Sequence, residues 1–214
     1  MSTIGLMILA AGASTRMGTP KQLLPFQGRS LLRHMAEEAI DSCCHPVVIV
    51  LGSQAERMKL EVDELALHSV ENHQWAEGMG TSIPAGMTAL TAINPALKAV
   101  VIVLCDQPFV SASLIDQLVE SYRSTQRPII ASAYANTLGV PALFDRSLFT
   151  ELMRMNANVG AKYLIKQHAE KVFQVSFPKG AIDLDTPAQY QQLLKDTTVT
   201  LSSRFERHNR SQVR

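Results

Sequence analysis

Paired cysteines, a basic excess and long apolar runs are all missing from this sequence. Its 214 residues include three cysteines, none in a C-x-x-C spacing. Cys43 and Cys44 are adjacent and Cys105 closes an apolar run, so buried or half-buried small hydrophobes in a reducing compartment are expected, not a zinc site or disulfide framework. Lysine plus arginine total 20 against 19 aspartate plus glutamate, a balance without the basic footprint of a nucleic-acid binder. The longest apolar run, Ala99 to Cys105, has seven residues, where a membrane helix needs roughly 20. No basic region precedes the first apolar residues, so no signal peptide is expected. The six histidines, at 34, 45, 68, 73, 168 and 208, show no H-x-x-x-H or H-E-x-x-H spacing, which disfavours a histidine metal centre. Hydrophobic residues make up 46% and charged residues 18%, too apolar for disorder. A cytoplasmic protein with no membrane segment is expected.

What is present is an alternation of short apolar runs and helical stretches, the pattern of a mostly parallel α/β sheet with helices on both faces. Ile4 to Ala10 is continuous rather than alternating, as a strand buried on both faces should be. A polar, Gly-rich loop follows to Gly28. Ser30 is placed to cap a helix whose stripe is Leu31, Leu32, Met35, Ala36 and Ala39. Pro46 to Leu51 reads as a strand, Gln54 to Leu67 as a helix, and Ser69 to Glu71 as a short strand. Residues 72 to 81 read as a loop, with Trp75 as its packing residue and stacking on a base or pterin as the alternative. Ser82 is expected to cap a helix with Pro84 in its first turn. Lys98 to Cys105 is the clearest strand, and Ser111 caps a helix through Tyr122. Pro128 to Ala135 and Val140 to Phe144 read as strands, Ser147 to Met155 and Gly160 to His168 as helices, and Lys171 to Phe177 as the last strand. Thr186-Pro187 opens a terminal helix. Residues 1–196 form the expected domain, 1–110 mainly for a nucleotide and 111–196 mainly for an acceptor. Residues 197–214 hold four arginines and one glutamate and read as a basic, disordered tail.

Ligands of open α/β sheets bind at the carboxyl ends of the strands, and two strand ends here are unusual. After the first strand, Leu9, Ala10, Ala11 and Gly12 are small or apolar, which lets an anionic ligand approach free backbone N–H groups. Arg16 and Lys21 add two cations over the same loop, suiting a polyphosphate. The loop is neither a G-x-x-x-x-G-K-[ST] nor a G-x-G-x-x-G motif. After the most apolar strand comes Asp106, a carboxylate that needs a partner there; Mg²⁺ would satisfy it, and a self-capped loop is the competing reading. Asp183 and Asp185 share one side of an extended chain by their i, i+2 spacing, unless Asp185 is a helix N-cap. Ser14 and Thr15 have no His–Asp partner pattern that would make them nucleophiles.

These segments together resemble the nucleotidyltransferases of the molybdenum-cofactor branch, a GT-A-like, Rossmann-like family. Residues 9 to 21 match its opening motif, L-A-[AG]-G-x-S-x-R-M-G-x-x-K, throughout. The strand ending in Asp106-Gln107-Pro108 and the later Asp183-Leu184-Asp185-Thr186-Pro187 also match. Glu77 to Ser82 looks like the family's ribose and base loop, which implies roles for Gly78, Gly80 and Ser82. The double alanine Ala10-Ala11 with Gln22-Leu23-Leu24-Pro25 looks like the cytidylyltransferase subgroup. Gly139-Val140-Pro141 stands where that family has Gly-His-Pro, and Asn158 to Lys162 where it has Asp-x-Gly-Ala-Arg, both in the acceptor half.

The resemblance implies transfer of CMP from CTP to the phosphate of molybdopterin. Asp106 with Asp183 or Asp185 would hold Mg²⁺, and Arg16 and Lys21 would neutralise the leaving pyrophosphate. Gly139, Pro141, Asn158 and Lys162 become acceptor candidates, and a client molybdoenzyme a possible partner. The rivals are a sister enzyme using GTP or another phosphate acceptor, and a cofactor-carrying chaperone without turnover.

Overall fold

The computed structural model describes residues 3–182, 184 and 186–195. Six consecutive buried residues, Ile4–Leu9, form β1. The loop that follows contains two single-turn 3-10 segments, Thr15–Met17 and Lys21–Leu23. It then closes a two-residue-a-side hairpin of β2 (Pro25–Phe26) and β3 (Arg29–Ser30). Positive φ at Gln27 and Gly28 (50° and 83°) makes this turn, so the region read as one loop holds a small second sheet. Ser30 caps α1 (Leu31–Ile40) as expected, its hydroxyl accepting from Arg33 N at 3.2 Å. The apolar stripe of α1 is buried as the spacing predicts.

After β4 (Val47–Leu51), helix α2 spans only Ala55–Lys59, not the whole of 54–67. Beyond it the backbone bonds shorten to three-residue closures, such as Glu61 N to Met58 O. The reason is a thin apolar stripe: Ala55, Met58 and Val62 are buried while Leu60 is 76% exposed. Strand β5 (His68–Glu71) and helix α3 (Ser82–Ile93) follow. Ser82 does not cap α3; it is the first helical residue, and its hydroxyl accepts from Asn72 Nδ2 at 3.0 Å. Next come β6 (Ala99–Leu104) and α4 (Ala112–Thr125), the latter capped by Ser111. Strands β7 (Ile129–Tyr134) and β8 (Thr137–Asp145) form a hairpin turned by Ala135 and Asn136, both at positive φ. Helices α5 (Phe149–Met153) and α6 (Ala161–Gln167), strand β9 (Val172–Ser176) and a helix α7 over 187–195 complete the described chain.

The seven-stranded sheet has the order β5-β4-β1-β6-β8-β7-β9. Only β8 runs against its neighbours, so the mostly parallel expectation holds. Alternation along β1 sends Leu6 and Ile8 into a core with α1 and α4, and Met7 and Leu9 into one with α3, α5 and α6. Burying each such side chain contributes about 1.5–3 kcal/mol. Leu9 is in register with Val50 on one side and Leu104 on the other. The loops after β1, β4 and β6 therefore leave the sheet at the same level. No helix among the described residues is long and apolar enough to cross a membrane.

Candidate active site

The ends of β1 and β6 open into one cleft of about 150 Å³, lined by Leu9 to Gly12, Lys21, Gln22, Trp75, Ser82 and Leu104 to Asp106. Lys21 and Asp106, 85 residues apart in sequence, meet there: Lys21 Nζ donates to Asp106 Oδ2 at 2.6 Å. Their side chains are 16% and 20% exposed, shielded enough for the charges to interact strongly yet open to a ligand. Asp106 Oδ1 is buried and has no hydrogen-bond partner among the described residues. A buried carboxylate oxygen left unsatisfied costs free energy, and a cation is the chemistry that would satisfy it.

The loop over the cleft is braced by Gln22, which is 2% exposed. Its amide nitrogen donates to Ala10 O at 2.9 Å and to Gly12 O at 2.8 Å. Its Oε1 accepts from Ser14 Oγ at 3.1 Å, and that hydroxyl accepts from Lys21 N at 3.0 Å. One glutamine thus closes a ring that fixes both carbonyls of the Ala10–Gly12 turn and the start of the Lys21 segment. Ser14 is spent in this ring, in keeping with the absence of a nucleophile's partners. An atom placed on Gly12 as a Cβ would meet nothing within 4 Å; the space beside that backbone is open. Arg16 lies in the Thr15–Met17 turn of the same loop.

The Asp106 loop is held from two further sides. Leu184 N donates to Asp106 O at 3.2 Å and Gln107 Nε2 donates to Gly180 O at 3.2 Å. The segment carrying the predicted carboxylate pair therefore runs beside Asp106, although Asp183 and Asp185 themselves, with the tail 197–214, lie outside the described residues. On the other side, His34 Nε2 donates to Pro108 O at 3.1 Å while its Nδ1 accepts from Arg29 Nη2 at 2.8 Å. A guanidinium only donates and a carbonyl only accepts, so the tautomer is fixed. Burial, and then the facing Arg29 charge, push the His34 pKa below its ordinary 6.5. Phe26 packs edge-on against His34 and Phe109, at 4.8 and 6.5 Å between ring centroids. Cys105 lines the cleft as a thiol, since burial pushes its pKa far up.

Gly78 and Gly80 stand beside the cleft for another reason. A Cβ on Gly80 would overlap the carbonyl oxygens of Asn156 and Val159, and one on Gly78, whose φ is 142°, that of Ala157. Gly80 N donates to Ala157 O at 3.2 Å, so the loop expected to read the ribose rests on the loop that carries Asn158. Of the acceptor candidates, Asn158 and Lys162 are exposed while Gly139 and Pro141 are buried in β8. Gly139 lies under the Tyr134 ring, and Ser132 Oγ donates to Pro141 O at 2.6 Å. Among the described residues no three His, Cys, Asp or Glu side chains gather as a metal centre.

Sequence reasoning missed Gln22 as a brace, Asn72 as the anchor of the 72–82 loop and Gly52 at the end of β4. A Cβ on Gly52 would stand 2.7 Å from Ala11 O and from Trp75 Cβ, so only glycine lets these loops close up. Of these, Gly52 had a signal, a glycine directly after a buried strand.

The family described as the MobA-like NTP transferase domain matches residues 6–172. The chain belongs to that family. It is a nucleotidyltransferase with a mostly parallel α/β fold, as the resemblance implied. It is 33% identical over 199 residues to nicotine blue oxidoreductase of Paenarthrobacter nicotinovorans, covering 88% of this chain and 95% of that one. It is 32% identical over 153 residues to the bifunctional protein GlmU of Mycobacterium ulcerans, covering 68% of this chain but only 30% of that protein's length. Among solved structures, Rv0371c of Mycobacterium tuberculosis H37Rv in complex with manganese superposes with a TM-score of 0.72 at 25% identity, over 91% of this chain and 99% of that one.

Proposed function

We propose that the protein transfers CMP from CTP to the terminal phosphate of molybdopterin, in a Mg²⁺-dependent reaction that releases pyrophosphate. The observation that carries the reading is the Lys21–Asp106 pair over an open Ala10–Gly12 backbone, with one Asp106 oxygen left without a partner among the described residues. In it an acceptor phosphate oxygen attacks the α-phosphorus in line, the bond to the bridging oxygen of the β-phosphate breaks, and pyrophosphate leaves. The attacking oxygen is already anionic at neutral pH, so positioning and charge stabilisation are the whole task. Leu9 to Gly12 present the backbone along the nucleotide, and Gly78, Gly80 and Ser82 bound its sugar side. Arg16 and Lys21 neutralise charge developing on the leaving group. Asp106, with Asp183 or Asp185, would hold a divalent cation, which supplies charge neutralisation on the phosphate oxygens. A manganese complex of a structural neighbour supports a divalent site in this fold.

On the acceptor side, Asn158 and Lys162 offer exposed polar groups, while Gly139 and Pro141, buried in β8, would act only by setting that strand's backbone. A client molybdoenzyme and a cytoplasmic location belong to the same proposal. The test is pyrophosphate release with CTP and GTP side by side, with and without molybdopterin. CTP-selective release that requires the pterin is the expected result. Release with GTP, or with a different phosphate acceptor, moves the assignment to a sister transferase; a protein that binds the pterin and never releases pyrophosphate is a carrier.

A further inference from the structure

Trp75 is the only tryptophan in the chain, and it packs with neither core. It is half-buried, it belongs to neither hydrophobic cluster nor to the partly buried residues around them, and it lines the cleft. Its packing is with its own loop rather than with a core, and its cleft-facing position keeps the stacking alternative open. The part of this large ring that stays exposed is on the cleft wall, where it offers apolar area to a ligand.

The loop that presents it is firmly built. Asn72, 4% exposed, accepts from Gln74 N at 3.0 Å and donates to Thr81 Oγ1 at 2.8 Å and to Ser82 Oγ at 3.0 Å. Thr81 Oγ1 donates in turn to Gly78 O at 2.8 Å. Gly52 lets the Trp75 base and Ala11 both close in on the end of β4. An aromatic ring held by a self-satisfied loop loses little freedom when a ligand arrives.

The layout of the cleft says which part of a ligand meets the ring. Strand β4 and its Gly52 lie on one side of β1, β6 and its Asp106 on the other. Trp75 thus marks an apolar end beside β4, Lys21 and Asp106 a charged end beside β6, with the Ala10–Gly12 backbone between them. We infer that Trp75 is the stacking platform for the nucleobase, the triphosphate extending across the end of β1 to Lys21 and Asp106. The inference rests on the nucleotide reading above and adds the residue that discriminates a base-bearing ligand from bare polyphosphate.

Since no other tryptophan is present, tryptophan emission comes from Trp75 alone. The full-length protein is titrated with CTP, GTP, inorganic tripolyphosphate and a simple pterin, each with Mg²⁺, and emission is compared with calorimetric binding. The expected result is quenching by CTP at the calorimetric Kd, and tripolyphosphate binding with no quenching. Trp75→Leu raises the CTP Kd about 5- to 100-fold, the range of base stacking on an aromatic, while Trp75→Phe recovers most of it and the melting temperature of both variants stays near wild type. CTP binding with unchanged emission, or a Leu variant that binds as wild type, overturns the stacking role and leaves nucleotidyl transfer standing. Quenching by the pterin but not by CTP overturns the base assignment. No calorimetric binding of any nucleotide overturns both readings.

Discussion

Gly12 lines the cleft and Gly80 is buried two residues before its Ser82 wall, and the two are glycines for opposite reasons. Beside Gly12 there is empty space, whereas the space a Cβ would need at Gly80 is filled by the carbonyls of Asn156 and Val159. The first glycine leaves backbone accessible to something outside the chain; the second lets two loops of the chain close on each other. The same contrast divides the site as a whole. The β1 loop is braced from behind by Gln22 and faces an open cleft, while the 78–80 loop spends its small residues on the segment that carries the acceptor candidates. A motif glycine therefore does not announce a ligand until its neighbours are known.

The largest effects should come from the open side. Asp106→Asn keeps shape but removes the charge opposite Lys21, and should lower kcat about 10²- to 10³-fold. Steady-state pyrophosphate release, with the melting temperature as a control, measures it; a variant that unfolds instead would contradict an accessible site. Lys21→Ala should act in the same direction, again with little change in melting temperature.

Gln22→Leu should come next. It leaves the Ala10 and Gly12 carbonyls without their donor, at about 1–3 kcal/mol for a buried group left unpaired. Calorimetry should show CTP binding weakened along with stability, because the same bonds shape the loop. The glycine pair then tests the comparison head-on. Gly80→Ala must displace backbone, and overpacking of this kind costs about 1–3 kcal/mol, or several degrees of melting temperature in a domain of this size. Gly12→Ala meets no atom and should leave the melting temperature unchanged while raising the Kd for CTP. Equal thermal shifts for the two variants would erase the distinction.

Much of the scaffold is legible in the order of residues alone. Ser30 and Ser111 cap helices because each precedes a clear apolar stripe, and β1 is plain as a continuous apolar run. Helix α2 reads too long from sequence because residues 60–67 are helix-compatible in composition but have little apolar surface to bury. The antiparallel placement of β8 is hidden in a turn made by Ala135 and Asn136, which carry no glycine to mark positive φ. In the site, Lys21 and Asp106 stand out because cations in a strand-end loop and a carboxylate after an apolar strand each call for a partner. Gln22 does not, since its partners are main-chain carbonyls that leave no trace in side-chain pattern.

The smallest effect concerns the strut under the Asp106 loop. His34 is buried neutral between Arg29 and Pro108 O, with Glu37 and Glu38 on the same helix contributing weaker opposing fields. Its pKa is lowered in the fold, so the unfolded chain binds more protons and stability rises with pH across the interval below 6.5. The contribution is complete above that value and fades as pH falls through the folded pKa. His34→Gln, which can still donate and accept, should flatten the acid limb of the melting-temperature profile by no more than one proton's worth of slope. An unchanged acid limb would assign that limb to other groups.

Nucleotidyl transfer is decided by following the α-phosphorus itself. CTP labelled at that atom is incubated with the protein, Mg²⁺ and molybdopterin, and the products are separated. Label should join the pterin phosphate in step with pyrophosphate release, and both should be lost in Asp106→Asn. Label that stays in CTP, or appears only as free CMP whether or not the pterin is present, would contradict nucleotidyl transfer to that acceptor.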